Sequence, residues 1–178
     1  MAAYRAAEQL LSNGRVRAIG VSNFSPKHLQ DLIARSAVVP AVNQVELHPY
    51  FVQRQLRATH ARLGITTQAW SPLGGVNVYM VRHPRAAQNP LIDPLVVALA
   101  ARYRKRPAQI ILRWHLQHGV SAIPKSVKPN RIAENFDVFG FTLTPAEVAA
   151  IDALDTGGRG GPDPEAIDTT LYTKTIPD

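Results

Sequence analysis

The 178-residue sequence predicts an α/β fold of the (β/α)8 barrel class, with four parallel strands and their helices, about half of a closed barrel. Three observations lead there. Short β-branched segments alternate with helical patterns, and the first three start about 25 residues apart, the pitch of a β/α unit with right-handed crossovers. No G-x-G-x-x-G turn follows the first strand, which removes the main signature of a doubly wound nucleotide-binding sheet. Polar and aromatic residues collect just after each strand, where barrels carry their functional side chains. A whole barrel needs eight strands and ~250 residues. Four strands are found, so half of one is expected to be absent.

The elements follow in order. An amphipathic helix opens the chain and ends at Asn13-Gly14, a left-handed cap signal. Arg15 to Val21 reads as the first strand, and Ser25-Pro26 opens a helix with an N-cap serine and a first-turn proline. Ala41 to Val45 is the second strand, Gln53 to Leu63 a helix closed by Gly64, and Ile65 to Trp70 the third strand. Pro84 to Pro90 is a polar loop before two helices, Ile92 to Arg104 and Ala108 to Gln117, with Pro107 stopping the first. Ser121 to Ile123 is a short fourth strand, followed by a helix near Arg131 to Asp137 and another opened by the capping box Thr144-Pro-Ala-Glu147. Residues 1–155 thus form the partial barrel, and 156–178 an irregular tail, expected to be mobile. Gly157-Gly-Arg-Gly160-Gly161 follows a helix, so it reads as a loop and not as a phosphate cradle.

Composition narrows the class. Hydrophobic residues at 46% and charged residues at 19% describe a globular chain, not a disordered one. No run of ~18 apolar residues is available to span a membrane. The N-terminus has no basic region followed by an apolar one, so no signal peptide is expected and the cytoplasm is the default location. Without cysteine there are no disulfides or thiolate metal sites. A formal charge of +7 raises the question of nucleic acid. The positive residues are dispersed, and the one tight cluster, Arg102 to Arg106, sits at a helix end, where it complements the dipole. Neither nucleic acid nor membrane is expected as a partner. A diffuse positive field also suits a phosphorylated small molecule.

The strand ends offer Ser22-Asn23, Gln44 with Glu46-Leu-His48-Pro49, Trp70-Ser71-Pro72-Leu73-Gly74, and Pro124-Lys125-Ser126. Amides such as Asn23 and Gln44 pair with a carboxamide as donor and acceptor, and Trp70 can stack on a planar ring. Lys125-Ser126 precedes a helix start near Pro129, where free N–H groups favour a phosphate. Arg131, Glu134 and Asn135 share one face of that helix, and Lys125 with Arg131 can clamp a phosphate, leaving Glu134 and Asn135 for a purine edge. Ile132 and Phe136 are expected to face inward. His48 and Tyr50 lie at a strand mouth, where a packed, hydrogen-bonded role is favoured over an acid pair.

Four stretches carry a family resemblance: Val16-Arg-Ala-Ile-Gly-Val-Ser-Asn-Phe24, Asn43-Gln-Val-Glu-Leu-His-Pro49, Ala69-Trp-Ser-Pro-Leu-Gly74, and Ile123-Pro-Lys-Ser126 with Arg131-Ile-Ala-Glu-Asn135. In this order and spacing they resemble signature segments of the aldo-keto reductase superfamily, in particular its bacterial diketogluconate-reductase-like branch. The resemblance covers about residues 4 to 155. It implies the C-terminal half of a (β/α)8 TIM barrel, with the N-terminal strands absent, and an NADPH-dependent oxidoreductase acting on a small-molecule carbonyl. It further implies that Ser22, Asn23 and Gln44 hold the nicotinamide carboxamide and that Trp70 stacks on its ring. Ser71 and Leu73 would line the pyrophosphate, Lys125, Ser126 and Arg131 the 2′-phosphate, and Glu134 and Asn135 the adenine. The family's catalytic Tyr, Lys, Asp and His lie before the strand that begins here near Val16, so none is carried onto this sequence. The loop from Gly75 to Asn89 is longer than the family pattern, which implies an altered lid over the pyrophosphate.

Two readings follow: a portion of a carbonyl reductase, or a non-catalytic NADP(H)-binding or assembly-dependent half barrel. Parallel strands bury both faces, and a half barrel leaves two edge strands and one face open. Self-association through the open barrel edge, or a poorly soluble or molten chain, is therefore expected.

Overall fold

The computed structural model describes residues 2–74 and 89–166. Four parallel strands form one sheet in sequence order: β1 (Gly20–Ser22), β2 (Val42–Glu46), β3 (Thr66–Trp70) and β4 (Ser121–Ala122). Seven α-helices lie in these residues: α1 (Ala2–Ser12), α2 (Pro26–Ile33), α3 (Arg54–Leu63), α4 (Pro94–Tyr103), α5 (Pro107–Gln117), α6 (Pro129–Phe136) and α7 (Pro145–Asp152). A 3-10 turn, Pro90–Ile92, leads into α4. No helix among the described residues is long and apolar enough to cross a membrane.

Helix boundaries follow local chemistry. Gly14, at φ +67°, lets the amides of residues 14 and 15 reach the carbonyls of Leu11 and Leu10 and so ends α1. At α2, Ser25 Oγ accepts from the His28 amide while His28 Nδ1 accepts from the Ser25 amide, a reciprocal cap. Thr144 and Glu147 do the same for α7. The α4 helix stops four residues before Pro107, at Arg104 in the left-handed region (φ +53°). Pro107 is instead the first residue of α5, where a missing N–H costs nothing. Three cations of the basic cluster are paired with carboxylates: Arg102 with Glu147 at 2.9 Å, Lys105 with Asp137 at 2.5 Å, and Arg106 with Glu134 at 3.6 Å.

The first strand is shorter than the sequence suggests. Ladder pairing begins at Gly20, opposite Val42, and among the described residues the only backbone bond joining the two segments upstream of it is the Ala41 amide donating to the Ile19 carbonyl at 2.8 Å. Residues Arg15 to Arg17 are left exposed. Alternation along the strands then sorts the two faces. Asn43, Val45, Thr67 and Ala69 point to the helices and are buried. Val45 packs with Leu29, Leu56 and Ile65, and Ala69 joins a larger cluster around Trp114, Ile110, Ile111 and Val96. Trp114 is fully buried, and its Nε1–H donates to Asp152 at 2.8 Å, so its one polar atom is satisfied.

The opposite sheet face, expected to stand open, carries a polar row. In register across the sheet stand Ser22, Gln44, Gln68 and Ser121. Gln44 Nε2 donates to Gln68 Oε1 at 2.6 Å, and Gln68 Nε2 to Ser121 Oγ at 3.2 Å. This row pairs its own polar groups and leaves less apolar area in water than two-sided strand burial would. Helix α6 also departs from expectation. Ile132 is 44% exposed and Phe136 75%, because α6 buries none of its residues and sits beside the edge strand β4.

Two buried histidines set an acid limit on stability. His60 accepts from Asn43 Nδ2 at 3.0 Å and donates through Nδ1 to Thr67 Oγ1 at 2.8 Å, an arrangement that suits the neutral ring. Burial pushes its pKa down to about 4, and that of His115, whose Nε2 donates to the Pro72 carbonyl, down to about 3. Both folded values lie below the unfolded value near 6.5. Their contribution is complete above about pH 6.5 and is lost as pH falls from there toward the folded values. Thermal melts should therefore show a melting temperature that declines steadily from pH 7 to pH 5. A flat profile over that window would contradict neutral burial of these rings.

Candidate functional site

The site is built at the C-terminal ends of the strands. Just past β1, Asn23 takes a left-handed backbone (φ +60°) and its amide donates to the Gln44 carbonyl at 2.9 Å. Asn43 explains why the chain turns there. Its buried side chain receives the Phe24 amide at 3.3 Å and donates to the Phe24 carbonyl at 2.8 Å, binding both polar groups of the turn. The turned Asn23 accepts from Trp70 Nε1 at 2.8 Å and so holds the indole across the mouths of β2 and β3. Ser22 Oγ donates to the Gln44 carbonyl at 2.9 Å. Four of the predicted residues, Ser22, Asn23, Gln44 and Trp70, thus stand within one hydrogen-bonded group. Ser22 and Asn23 also line an open cleft of about 820 Å³ against α1 and α2.

A second group forms at the other edge. Leu73, Lys125, Ser126, Arg131, Glu134 and Asn135 line one cleft of about 420 Å³ between β4, α5 and α6. Ser126 Oγ accepts from the Lys128 amide at 3.1 Å, while the N-terminus of α6 has no side-chain cap, so amide donors remain at its positive end. Ser71 belongs to neither group. It sits at φ +47° in a turn closed by the Gly74 amide on its carbonyl at 2.9 Å. The loop expected as a lid, from Gly75, lies outside the described residues up to residue 88.

Sequence reasoning missed two residues and one segment. Arg106 and Asn130 share the α6 cleft. Arg106 is the N-cap residue of α5, a position where Ser, Thr, Asp or Asn would ordinarily stand, and that misfit was the available signal. The segment is the tail. Residues 156–166 hold no helix or strand, as expected, but the first part is tied down. The amides of Thr156 and Gly158 both donate to the Tyr50 carbonyl at 3.1 Å. The amides of Gly160 and Gly161 donate to the carboxylate of Glu46, which is wholly buried. The glycine run does cradle an anion, one supplied by its own chain.

His48 and Tyr50 are structural. His48 is buried and donates through Nε2 to Glu46 at 3.1 Å. Tyr50 donates its hydroxyl to Asp93 at 2.8 Å, and burial together with that carboxylate pushes its pKa up to about 12.

Residues 1–156 match the model of the Aldo/keto reductase family, and the chain belongs to that family. It is 52% identical to morphine 6-dehydrogenase of Pseudomonas putida over 174 residues, which are 97% of this chain and 59% of that protein. Among solved structures it is similar to Gox0644 in its apo form, with a TM-score of 0.83 and 43% identity, covering 93% of this chain and 57% of that one. It also resembles the Bombyx mori aldo-keto reductase AKR2E4 in complex with NADP, with a TM-score of 0.81 and 36% identity, over 94% of this chain and 52% of the other. The chain therefore spans little more than half the length of these relatives, and its fold is that part of an aldo-keto reductase barrel.

The Asn43 network gives the site its own test. Asn43→Ala would leave one nitrogen of the buried His60 and both polar groups of the half-buried Phe24 without this partner. The expected loss of stability in urea unfolding is about 2–4 kcal/mol. A loss below about 0.5 kcal/mol, the range of an ordinary surface change, would show that the turn does not depend on this amide.

Proposed function

We propose that the chain is the cofactor-binding part of an NADPH-dependent aldo-keto reductase, an oxidoreductase that reduces aldehydes or ketones to alcohols. The observation that carries this is the α6 cleft, where Lys125, Arg131 and the uncapped helix start converge with Ser126, Glu134 and Asn135. Two cations and free amides suit a 2′-phosphate. Glu134 and Asn135, one turn further along the helix, suit the exocyclic amine and ring nitrogens of adenine. At the other end Asn23 and Gln44 suit a carboxamide, Ser22 adds a hydroxyl, and Trp70 offers a ring face. Ser71, in the turn after β3, and Leu73, at the α6 cleft, are the residues we assign to the pyrophosphate. Several similar structures are complexes with NADP or NADPH.

Bound NADPH supplies a hydride for carbonyl reduction. This chain's residues would hold the two ends of the cofactor and exclude water from the ring. No proton donor is assigned to it. Tyr4, Tyr50 and Tyr103 already donate to Val38, Asp93 and Glu147 respectively, and each has its pKa raised by burial or by its acceptor. Reduction then belongs to the whole protein, with this chain as its NADPH-binding portion.

Binding measurements test the reading. The chain should bind NADPH and 2′,5′-ADP more tightly than NADH. Arg131→Ala should weaken both 2′-phosphorylated ligands by about 10–100-fold, the effect of one charge-assisted contact, with little change for NADH. Equal NADPH affinity in mutant and parent would refute the assignment.

A second reading, an assembly-dependent half barrel, is favoured by the sheet itself. Strands β1 and β4 are its two edges, and Ile132, Phe136 and Phe139 are exposed beside β4. Sedimentation of the isolated chain should show a dimer or larger species. A monodisperse monomer that unfolds cooperatively would count against it.

A further inference from the structure

Glu46 is the one carboxylate of the described residues with no solvent exposure at all. Burying such a charge costs several kcal/mol unless it is well compensated. Its compensation comes largely from the tail. Oε1 accepts from the Gly160 amide at 2.6 Å and the Gly161 amide at 3.0 Å, and Oε2 lies 3.2 Å from the Gly161 amide. His48 Nε2 donates to Oε1 at 3.1 Å, and the Arg159 guanidinium stands 3.7 Å from Oε2. Arg159 also rests over the Phe51 ring, 4.7 Å from its centre. Glu46 and Trp70 are register partners on neighbouring strands, so a segment bound to the one lies against the other.

The fit is close enough to require glycine. A Cβ on Gly161 would stand 2.5 Å from Cη2 of Trp70 and 3.2 Å from the Glu46 carboxylate. The strap thus presses on one edge of the indole, while Asn23 holds its Nε1 at 2.8 Å. Trp70 is fixed from two sides, by β1 and by the tail.

We infer that Glu46 is a positioning residue: its carboxylate clamps Gly160 and Gly161 against Trp70 and so sets the ring-binding end of the site. The inference rests on the cofactor reading above. A carboxylate can accept every hydrogen bond directed at it, whereas a glutamine would turn an NH2 group toward one of these donors. Gly161→Ala attacks the same contact from the strap side and leaves Glu46 intact.

The test compares Glu46→Gln and Gly161→Ala with the parent chain, using NADPH and 2′,5′-ADP as separate ligands and trypsin as a probe of the Arg159–Gly160 bond. Both variants should bind NADPH about tenfold more weakly. Both should retain 2′,5′-ADP affinity within about twofold, because its binding groups lie in the α6 cleft. That retention also certifies the fold. Trypsin should cut after Arg159 in the variants and not in the parent. Equal weakening of both ligands, or no weakening of NADPH, overturns the inference, as does a parent already cut at Arg159. If Arg131→Ala leaves 2′,5′-ADP binding untouched while trypsin cuts Glu46→Gln and Gly161→Ala after Arg159, the cofactor reading fails but the clamp on the tail stands.

Discussion

The arrangement of the strand mouths depends on one buried amide. Asn43 points away from the open sheet face, into the layer between β2 and the helices, where it binds both polar groups of Phe24 and the ring of His60. His60 in turn reaches Thr67 on β3. A single polar line therefore ties the turn after β1 to α3 and to the neighbouring strand. All of its members except the turn are buried, so every unmade bond would carry a desolvation cost. That cost makes the turn specific. Asn23 is left in a left-handed conformation which Asn tolerates better than most residues, and its side chain comes to bear on Trp70.

The two sheet faces then divide the labour. The helix side carries the apolar clusters and this polar line, and it is where folding energy resides. The open side carries Ser22, Gln44, Gln68 and Ser121, joined side to side. In a closed barrel such residues fill the interior in layers. Here they explain how a four-stranded piece keeps a defined sheet with one face uncovered: the groups exposed are ones that water solvates well. The apolar residues still exposed gather elsewhere, around α6 and β4.

Much of this was legible in the sequence, for reasons that differ by element. Alternation at a β/α pitch marked the first three strands, and Ser25-Pro26, Gly64 and Thr144 marked helix ends through chemistry confined to a few residues. Residues Lys125, Ser126, Arg131, Glu134 and Asn135 could be grouped because a short strand end and one helix face place them together. What failed was whatever depends on a distant partner. Arg15 to Ala18 reads as strand from composition but has no ladder partner in the sheet. Ile132 and Phe136 lie on the apolar stripe of α6, yet a stripe is buried only when another element covers it. The tail looked unanchored because its glycines and prolines carry no local pattern, and its anchor, Glu46, is more than a hundred residues away.

That anchor changes how the glycine run should be understood. Consecutive glycine amides form a concave donor surface, and such surfaces take anions. Read from sequence alone, the run has no strand before it and so no place in a phosphate loop. The structure gives it an anion that is covalently part of the same chain, and the reason is electrostatic on both sides. Glu46 would be costly at the end of β2 without donors, and the tail would have little to hold it without Glu46. Each is the condition for the other, and the indole of Trp70 lies where they meet. The part of the mouth around Trp70 is therefore completed by the last described segment of the chain, not by the sheet that carries the rest of it.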